Sequence, residues 1–212
     1  MDWLIKTAGT SVGKKLMMAV TGLAFCGFLG THLAGNLTLY GGADAFNSYA
    51  EHLHALGPLL SLAEFGLLAL FLVHIFTGLT LFYQNFKARP ERYVVNRAAG
   101  GRTLGSRTMP YTGILILAFV IYHLINFHFV DKSNTTIFAV VSGTFSDPLP
   151  VVLYIAAMAV VAVHVSHGFW SLFQTFGANH PKYMPAVMAV GLLFSIAVGV
   201  GFGLLPVVVS MM

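Results

Sequence analysis

The sequence predicts an all-α integral membrane protein: one bundle of five transmembrane helices with its N-terminus in the cytoplasm. Of its 212 residues, 57% are hydrophobic and 8% are charged, whereas about a quarter of an average soluble domain is charged. Five runs contain no Asp, Glu, Lys or Arg, and each could cross ~30 Å of hydrocarbon as a helix. The runs are 16–43, 65–86, 108–130, 148–181 and 183–212. They lack the two-residue alternation of membrane strands, which excludes a barrel.

Turn-forming residues delimit the spans, which we predict at 15–40, 58–86, 108–130, 149–177 and 184–209 of a single domain covering 1–212. Glycine and proline favour turns and helix ends. They stand at the end of the first span, at the starts of the second, third, fourth and fifth, and at the end of the fourth: Gly41, Gly42, Pro58, Pro110, Pro148, Pro150, Gly177, Pro181 and Pro185. The first span is too long for a secretory signal and contains His32 and Asn36, so we expect it to be retained.

Basic residues indicate the orientation of the bundle. Ten of the eleven Lys and Arg lie on the side of the N-terminus, and only Lys132 lies opposite. The positive-inside rule therefore puts the N-terminus and the 87–107 loop in the cytoplasm. The basic residues of that loop could set topology alone or dock a soluble partner. They are Lys87, Arg89, Arg92, Arg97, Arg102 and Arg107.

Charge and cysteine content exclude two classes of function. The net charge of +4 comes from residues scattered between apolar spans rather than from one basic face, so we expect no nucleic-acid partner. The only cysteine, Cys26, lies within the first span. This excludes a disulfide framework and a thiolate metal cluster.

Four of the nine histidines lie in four different spans, at His32, His74, His123 and His164. An ionisable side chain inside a membrane helix is costly, so it normally faces the bundle interior and has a partner or ligand. His32 and His123 come shortly before the outer loops, whereas His74 and His164 lie nearer the cytoplasm. Two pairs at matching depth are what two bis-histidine haems require.

Glycines near these histidines favour a large flat cofactor over a bare metal ion. Gly78 and Gly168 lie one helical turn after His74 and His164, and Gly35 lies three residues after His32. A missing side chain there would let a ring lie against the backbone. The alternative is close helix packing through small residues.

The other histidines are weaker candidates. His167 could replace His164 as a ligand, and His128 is expected at the membrane interface. Solvated or hydrogen-bonded loop positions are expected for His52, His54 and His180.

Two carboxylates near the outer boundary could accept a proton from a quinol. Glu64 lies at the start of the second span, where it could instead close a capping box with Ser61. Glu51, in the preceding loop, is the rival candidate. If both fail, His52 or His54 would have to take this role.

Several segments resemble the single-subunit dihaem cytochrome b anchor of succinate:quinone oxidoreductases, the succinate dehydrogenase/fumarate reductase family. The similar segments are Ser11 to Gly22, His32-Leu-Ala-Gly-Asn with Asp44 to Ala50, His74 with Asn85 to Tyr93, and His164 to Gly177 with Trp170 six residues after the histidine. The fifth span matches only in hydrophobicity. Some family members carry a glutamate two residues before the last ligand, where this chain has Ala162.

The resemblance implies two b haems, an outer one on His32 and His123 and an inner one on His74 and His164. It implies a quinone, with menaquinone expected rather than ubiquinone, and electron transfer between the quinone and an iron–sulfur subunit. That subunit and a flavoprotein would bind on the cytoplasmic face of a bacterial inner membrane. The chain would act as a subunit of the enzyme without catalysing dicarboxylate chemistry itself. Haem propionates could pair with Ser11, Lys14, Tyr83 and Lys87.

Two other functions stay open. One is the cytochrome b subunit of another membrane oxidoreductase, such as a hydrogenase or formate dehydrogenase. The other is a small transporter with histidines lining its pathway. A transporter would show no porphyrin absorbance, and it is expected to carry repeat symmetry that five helices do not readily provide.

Overall fold

A computed structural model describes residues 2–88, 91 and 103–212, without the side chains of 4 and 5. These residues form helices and connections, with no strand among them. The predicted Arg89, Arg92, Arg97 and Arg102 lie outside this part of the chain. The helices are α1 (Asp2–Gly9), α2 (Ser11–Asn36), α3 (Gly42–His54), α4 (Pro58–Lys87), α5 (Leu104–Phe127), α6 (Ile137–Phe145), α7 (Pro148–Thr175) and α8 (Met184–Val209), with a 3₁₀ turn at Leu37–Gly41.

Five helices, α2, α4, α5, α7 and α8, are long and apolar enough to cross a membrane. Their 24 to 30 residues correspond to about 36–45 Å at 1.5 Å per residue. Large apolar side chains are widely exposed along them, for example Phe65 and Phe76 of α4. Such a surface suits contact with lipid chains. The predicted multi-pass helical membrane protein is therefore confirmed.

Side chains at the helix starts explain where two spans begin. Thr10 and Thr103 cap α2 and α5, each accepting a hydrogen bond from the backbone N–H three residues later. The cap at Thr103 starts α5 six residues before Pro110, so the predicted start of the third span is wrong. Pro110 lies inside the helix and removes one helical hydrogen bond. The predicted ends at Pro58 and at Gly177, which has φ +83°, are close to those found.

The connections opposite the basic side contain helices where we expected loops. The first span ends at Asn36, and the connection from there to α4 contains the 3₁₀ turn and α3. The connection between α5 and α7 contains α6. The Asn47 side-chain oxygen accepts a hydrogen bond from the Phe138 N–H at 3.0 Å, which ties α3 to the first turn of α6. Before α6, the Ser133 N–H binds the Asp131 carboxylate at 2.9 Å and holds its pKa below the ordinary value.

Four of the long helices form a closed ring. α2 packs on α4, α4 on α5, α5 on α7, and α7 on α2. Neither diagonal pair, α2 with α5 or α4 with α7, is among the pairs in broad contact. α8 packs outside the ring, on α7 and α2. The centre of the ring is therefore bordered by side chains of all four helices.

Candidate functional site

Two pairs of histidines face each other across the diagonals of this ring. His32 of α2 and His123 of α5 have ring centres 6.0 Å apart, with the ring planes at 90°. His74 of α4 and His164 of α7 stand on the other two helices of the ring. We call His32 and His123 the outer pair, and His74 and His164, which lie nearer the basic side, the inner pair.

Threonine hydroxyls from neighbouring helices hold the inner pair. Thr21 Oγ1 of α2 lies 2.8 Å from His74 Nδ1, and Thr112 Oγ1 of α5 lies 3.0 Å from His164 Nδ1. Each threonine is followed by a glycine that lies against the same imidazole. A Cβ added at Gly22 would lie 3.8 Å from Cε1 of His74, and one at Gly113 3.6 Å from Cε1 of His164.

These contacts set the levels of the two pairs along the bundle. Each inner histidine is at the level of its threonine, Thr21 or Thr112. Each outer histidine follows that threonine by 11 residues on the same helix (21 to 32 and 112 to 123). Eleven residues make about three turns and rise about 16 Å. The pairs therefore lie one above the other, as their predicted depths suggested.

The equal spacing between the inner and outer histidines reflects an internal repeat that our predictions did not include. The pattern Thr-Gly-x₅-Phe-x₃-His-Leu occurs at 21–33 and again at 112–124. The pattern Val-His-x₃-Gly-x₅-Gln occurs at 73–84 and again at 163–174. The copies are 91 and 90 residues apart. The expectation that five helices would lack repeat symmetry is therefore wrong, because four helices form two repeats and the fifth packs outside.

The two repeats run in the same direction, since α2 and α5 both begin on the basic side. Parallel repeats of this kind are related by an axis along the membrane normal. Each histidine pair consists of equivalent residues of the two repeats, so its members face each other across that axis.

Aromatic rings surround the outer pair. His32 stacks on Phe28 with ring centres 5.1 Å apart, and His123 contacts Phe127 at 5.2 Å. The contacts at Nδ1 are longer than in the inner pair. His123 Nδ1 lies 3.4 Å from the Tyr154 hydroxyl, and His32 Nδ1 lies 3.5 Å from the Asn36 amide nitrogen.

The three glycines near the histidines differ in their surroundings. A Cβ at Gly168 would meet nothing within 4 Å, so close helix packing within the described chain does not require this glycine. A Cβ at Gly78 would lie 3.5 Å from Cε of Met18, an ordinary contact. A Cβ at Gly35 would collide with the Tyr49 ring. Gly35 therefore serves close packing rather than an open face beside His32.

The rival histidines have other partners. His167 Nδ1 lies 3.4 Å from Thr103 Oγ1, and its ring meets that of Trp170 edge-on at 4.8 Å. His128 is exposed at the end of α5. His52 and His54 lie in α3 rather than in a loop, and each donates from Nδ1 to a backbone carbonyl four residues earlier, at 2.7 Å.

The two candidate carboxylates stand on different elements. Glu51 is exposed on α3, not in the predicted loop. Glu64 is exposed on α4, which begins at Pro58 without a side-chain cap, so the capping box with Ser61 is not formed. Glu64 lies 90 residues before Tyr154 and is therefore its repeat equivalent; Tyr154 is the residue that contacts His123. This equivalence places Glu64 at the level of the outer pair.

The propionate candidates all stand at the basic end of the bundle. Lys14 Nζ of α2 donates to Gln84 Oε1 of α4 at 3.0 Å. Ser11 and Lys87 are exposed, at the first residue of α2 and the last of α4. Tyr83 is 63% exposed, so little of it is covered by the chain. Lys14 alone of these four bridges two helices of the ring.

Comparison with known proteins identifies no relative. The chain matches no family model, no curated protein and no solved structure. Within the described residues, no three His, Cys, Asp or Glu side chains gather as a metal site. The histidines occur in pairs, which suits a metal whose remaining ligands come from a cofactor.

The position of Ala162 is closely packed. A Cβ added to the facing Gly199 would lie 2.8 Å from Ala162 Cβ. Ala162 therefore packs closely against the glycine of α8 at this position.

Proposed function

We propose that this chain is the dihaem cytochrome b membrane anchor of a succinate:quinone oxidoreductase, carrying electrons between a quinone and an iron–sulfur subunit. The observation that carries the proposal is the placement of four intramembrane histidines as two stacked pairs across the ring. The resemblance of the histidine-containing segments to that family supports the same assignment. Menaquinone is the quinone we expect.

The geometry of the outer pair fits bis-histidine ligation. Two imidazoles that bind one metal ion from opposite sides, with each nitrogen about 2 Å from it, have ring centres roughly 6 Å apart. The centres of His32 and His123 are 6.0 Å apart. Within the described chain, none of the four rings forms a hydrogen bond at Nε2, so this nitrogen is free to be a ligand.

The repeat supports a cofactor that would be held by one histidine from each repeat. A ligand on the axis between the repeats meets one histidine from each, and the open backbone at Gly168 suits a flat ring. A b-type haem held in this way supplies one-electron transfer. The chain's own contribution is to hold two such groups at levels about 16 Å apart, within ~30 Å of hydrocarbon.

The quinone would react at the outer end, away from the soluble subunits, which would dock at the basic end. Glu64 stands at the level of the outer pair and can accept a quinol proton at its carboxylate. Glu51 of α3 stays the rival acceptor. His52 and His54 each donate from Nδ1 to a backbone carbonyl, so Nε2 is the acceptor nitrogen of the neutral ring.

Two alternatives make different predictions. A hydrogenase or formate dehydrogenase cytochrome b would also contain haem but would copurify with different soluble subunits. A transporter is favoured by the repeat, since parallel repeats are common among transporters. It predicts no porphyrin in the protein.

Reduced-minus-oxidised spectra and haem extraction of the purified chain test the proposal. We expect two low-spin b haems per chain. His32→Ala or His123→Ala should remove the outer haem, and His74→Ala or His164→Ala the inner one. His128→Ala and His167→Ala are matched controls that should keep both. Absence of haem, or a single haem in the unaltered chain, would contradict the assignment.

A further inference from the structure

We propose that Thr21 and Thr112 are positioning residues that hold the inner imidazoles in the orientation and tautomer that would leave Nε2 free to bind a metal. The inference rests on the proposed function, because it assigns these hydroxyls a role toward the inner haem. Thr21 lies in the segment from Ser11 to Gly22 that resembles the family. Our predictions assign no role to either threonine.

Both threonines are buried, with 3% of Thr21 and 8% of Thr112 exposed. A buried hydroxyl in a membrane helix ordinarily bonds to the carbonyl three or four residues earlier on its own helix. Both do so: Thr21 Oγ1 lies 2.7 Å from the Met17 carbonyl, and Thr112 Oγ1 lies 3.1 Å from the Thr108 carbonyl. Each threonine hydroxyl also lies within hydrogen-bond distance of an imidazole Nδ1 on a neighbouring helix of the ring.

The direction of these hydrogen bonds follows from counting protons. A hydroxyl has one proton, and a carbonyl oxygen can only accept. If Thr21 donated to the imidazole, its oxygen and the Met17 carbonyl would face each other at 2.7 Å without a proton between them. Thr21 therefore donates to the carbonyl and accepts from Nδ1–H of His74. The proton on Nδ1 leaves the lone pair on Nε2, the nitrogen that a metal would bind.

The same arrangement occurs in both repeats, which indicates more than incidental packing. Thr21 and Thr112 are equivalent residues, and so are their partners His74 and His164. In the outer pair the Nδ1 contacts are longer and come from residues that are not equivalent, Asn36 and Tyr154. The inner ligands therefore have the stronger hydrogen bonds at Nδ1.

Such a bond has an electronic consequence. A hydrogen bond from Nδ1–H to an acceptor makes the imidazole a more basic ligand, which favours oxidised iron. Removing the acceptor should make the inner haem easier to reduce. The outer haem should not respond, because its histidines lie about three helical turns away.

The experiment compares Thr21→Val and Thr112→Val, which keep side-chain shape and remove the hydroxyl, with Thr21→Ser and Thr112→Ser, which retain it. Thr80→Val and Thr108→Val are matched controls, since among the described residues these hydroxyls bond only to carbonyls of their own helix. Redox titration of the full chain measures the reduction potentials of both haems. The inner haem is identified in the titration as the component that is missing from His74→Ala. ¹⁵N NMR of labelled histidine in haem-free chain reports the tautomers.

We expect each valine variant to shift the reduction equilibrium of the inner haem about tenfold toward the reduced form, or 59 mV for one electron. The serine and control variants should match the unaltered chain. In haem-free chain, His74 and His164 should carry the proton on Nδ1, and the valine variants should mix both tautomers. Two haems with unchanged potentials in the valine variants, or protonation at Nε2 in the unaltered chain, would overturn the inference alone. A chain without haem would overturn both it and the proposed function.

Discussion

At the scale of single residues, Glu64 and Glu51 differ in their relation to the outer pair. Glu64 lies on α4, a helix of the ring, and its repeat equivalent Tyr154 contacts His123. Glu51 lies on α3, outside the ring. A base that accepts the quinol proton has to stand beside the bound quinol. This position favours Glu64 over Glu51.

We predict that Glu64→Gln lowers quinol-dependent turnover about a hundredfold, because a positioned base contributes about 10²–10⁴-fold. Haem content and spectra should stay normal, and succinate or fumarate turnover with artificial dyes should persist. Turnover with a soluble quinol analogue in the assembled complex measures the effect. Glu51→Gln is the matched control and should retain native turnover. Native rates in both variants would exclude both carboxylates as the acceptor of the quinol proton. Loss of turnover in Glu51→Gln alone would assign that role to Glu51.

Residue types and spacing could predict the four histidines and their pairing by depth, because each lies in a different charge-free span. Thr21 and Thr112 could not be predicted in this way. A threonine in a membrane helix usually bonds to its own backbone, and composition does not indicate a second partner. The sequence did contain one signal for them: each threonine stands 11 residues before His32 or His123 in the pattern that occurs twice.

At the scale of elements, α3 and α6 form a cap on the outer end of the ring. Buried side chains join the cap to α7 and α8, among them Phe46 of α3, Phe145 of α6 and Tyr154 of α7. The hydrogen bond from the Phe138 N–H to Asn47 Oδ1 links the two short helices directly. The outer pair therefore lies beneath a packed layer rather than beneath free loops.

We predict that Asn47→Ala loosens this cap without unfolding the bundle. The variant leaves a donor in the first turn of α6 without its partner, and such a hydrogen bond contributes about 0.5–1.5 kcal/mol. Hydrogen–deuterium exchange should rise about two- to tenfold in 137–145 and stay unchanged in α2 and α7. Asn134→Ala removes an exposed amide that bonds only to Ser133, and is the control. Equal exchange in both variants would show that α6 is held by its apolar contacts alone.

The cap helices and the start of α5 show where prediction of elements failed. Charged and polar residues in 41–57 and 131–147 indicate a break in the membrane span, but they are equally compatible with a short surface helix. Proline near the start of a charge-free run suggests a helix boundary. Here the capping hydroxyl of Thr103 places the boundary six residues earlier and outweighs Pro110.

At the scale of the whole molecule, five spans are organised as four plus one. Counting charge-free runs predicts the number of spans, because the cost of burying charge in lipid acts on each span separately. It does not indicate which helices pack together. The ring of α2, α4, α5 and α7, with α8 outside, follows from the repeat and from packing, and it brings both histidine pairs onto one axis.

The basic end of this axis is where we predict docking of the iron–sulfur and flavoprotein subunits. The 87–107 segment carries six basic residues: Lys87 is the last residue of α4, Arg107 lies in the first turn of α5, and four arginines stand between the helices in the sequence. The inner pair lies toward that end. At physiological salt, attraction between exposed charges is largely screened once they are more than about 8–10 Å apart. Docking that depends on this segment should therefore weaken as salt rises.

We predict that replacing Arg89, Arg92 and Arg97 together by Gln lowers copurification of the soluble subunits at least tenfold at 0.05 M salt, where charge attraction is least screened. The loss should be smaller at 0.3 M, because salt already weakens this attraction in the unaltered chain. Quantitative pull-down from detergent extracts measures this, and haem content should not change. Lys132→Gln, on the opposite side, is the control. Since the same charges also favour cytoplasmic retention of the loop, cysteine labelling from each side must show that the variant keeps its orientation. A correctly oriented variant that copurifies as well as the unaltered chain at low salt would leave these arginines with a role in topology alone.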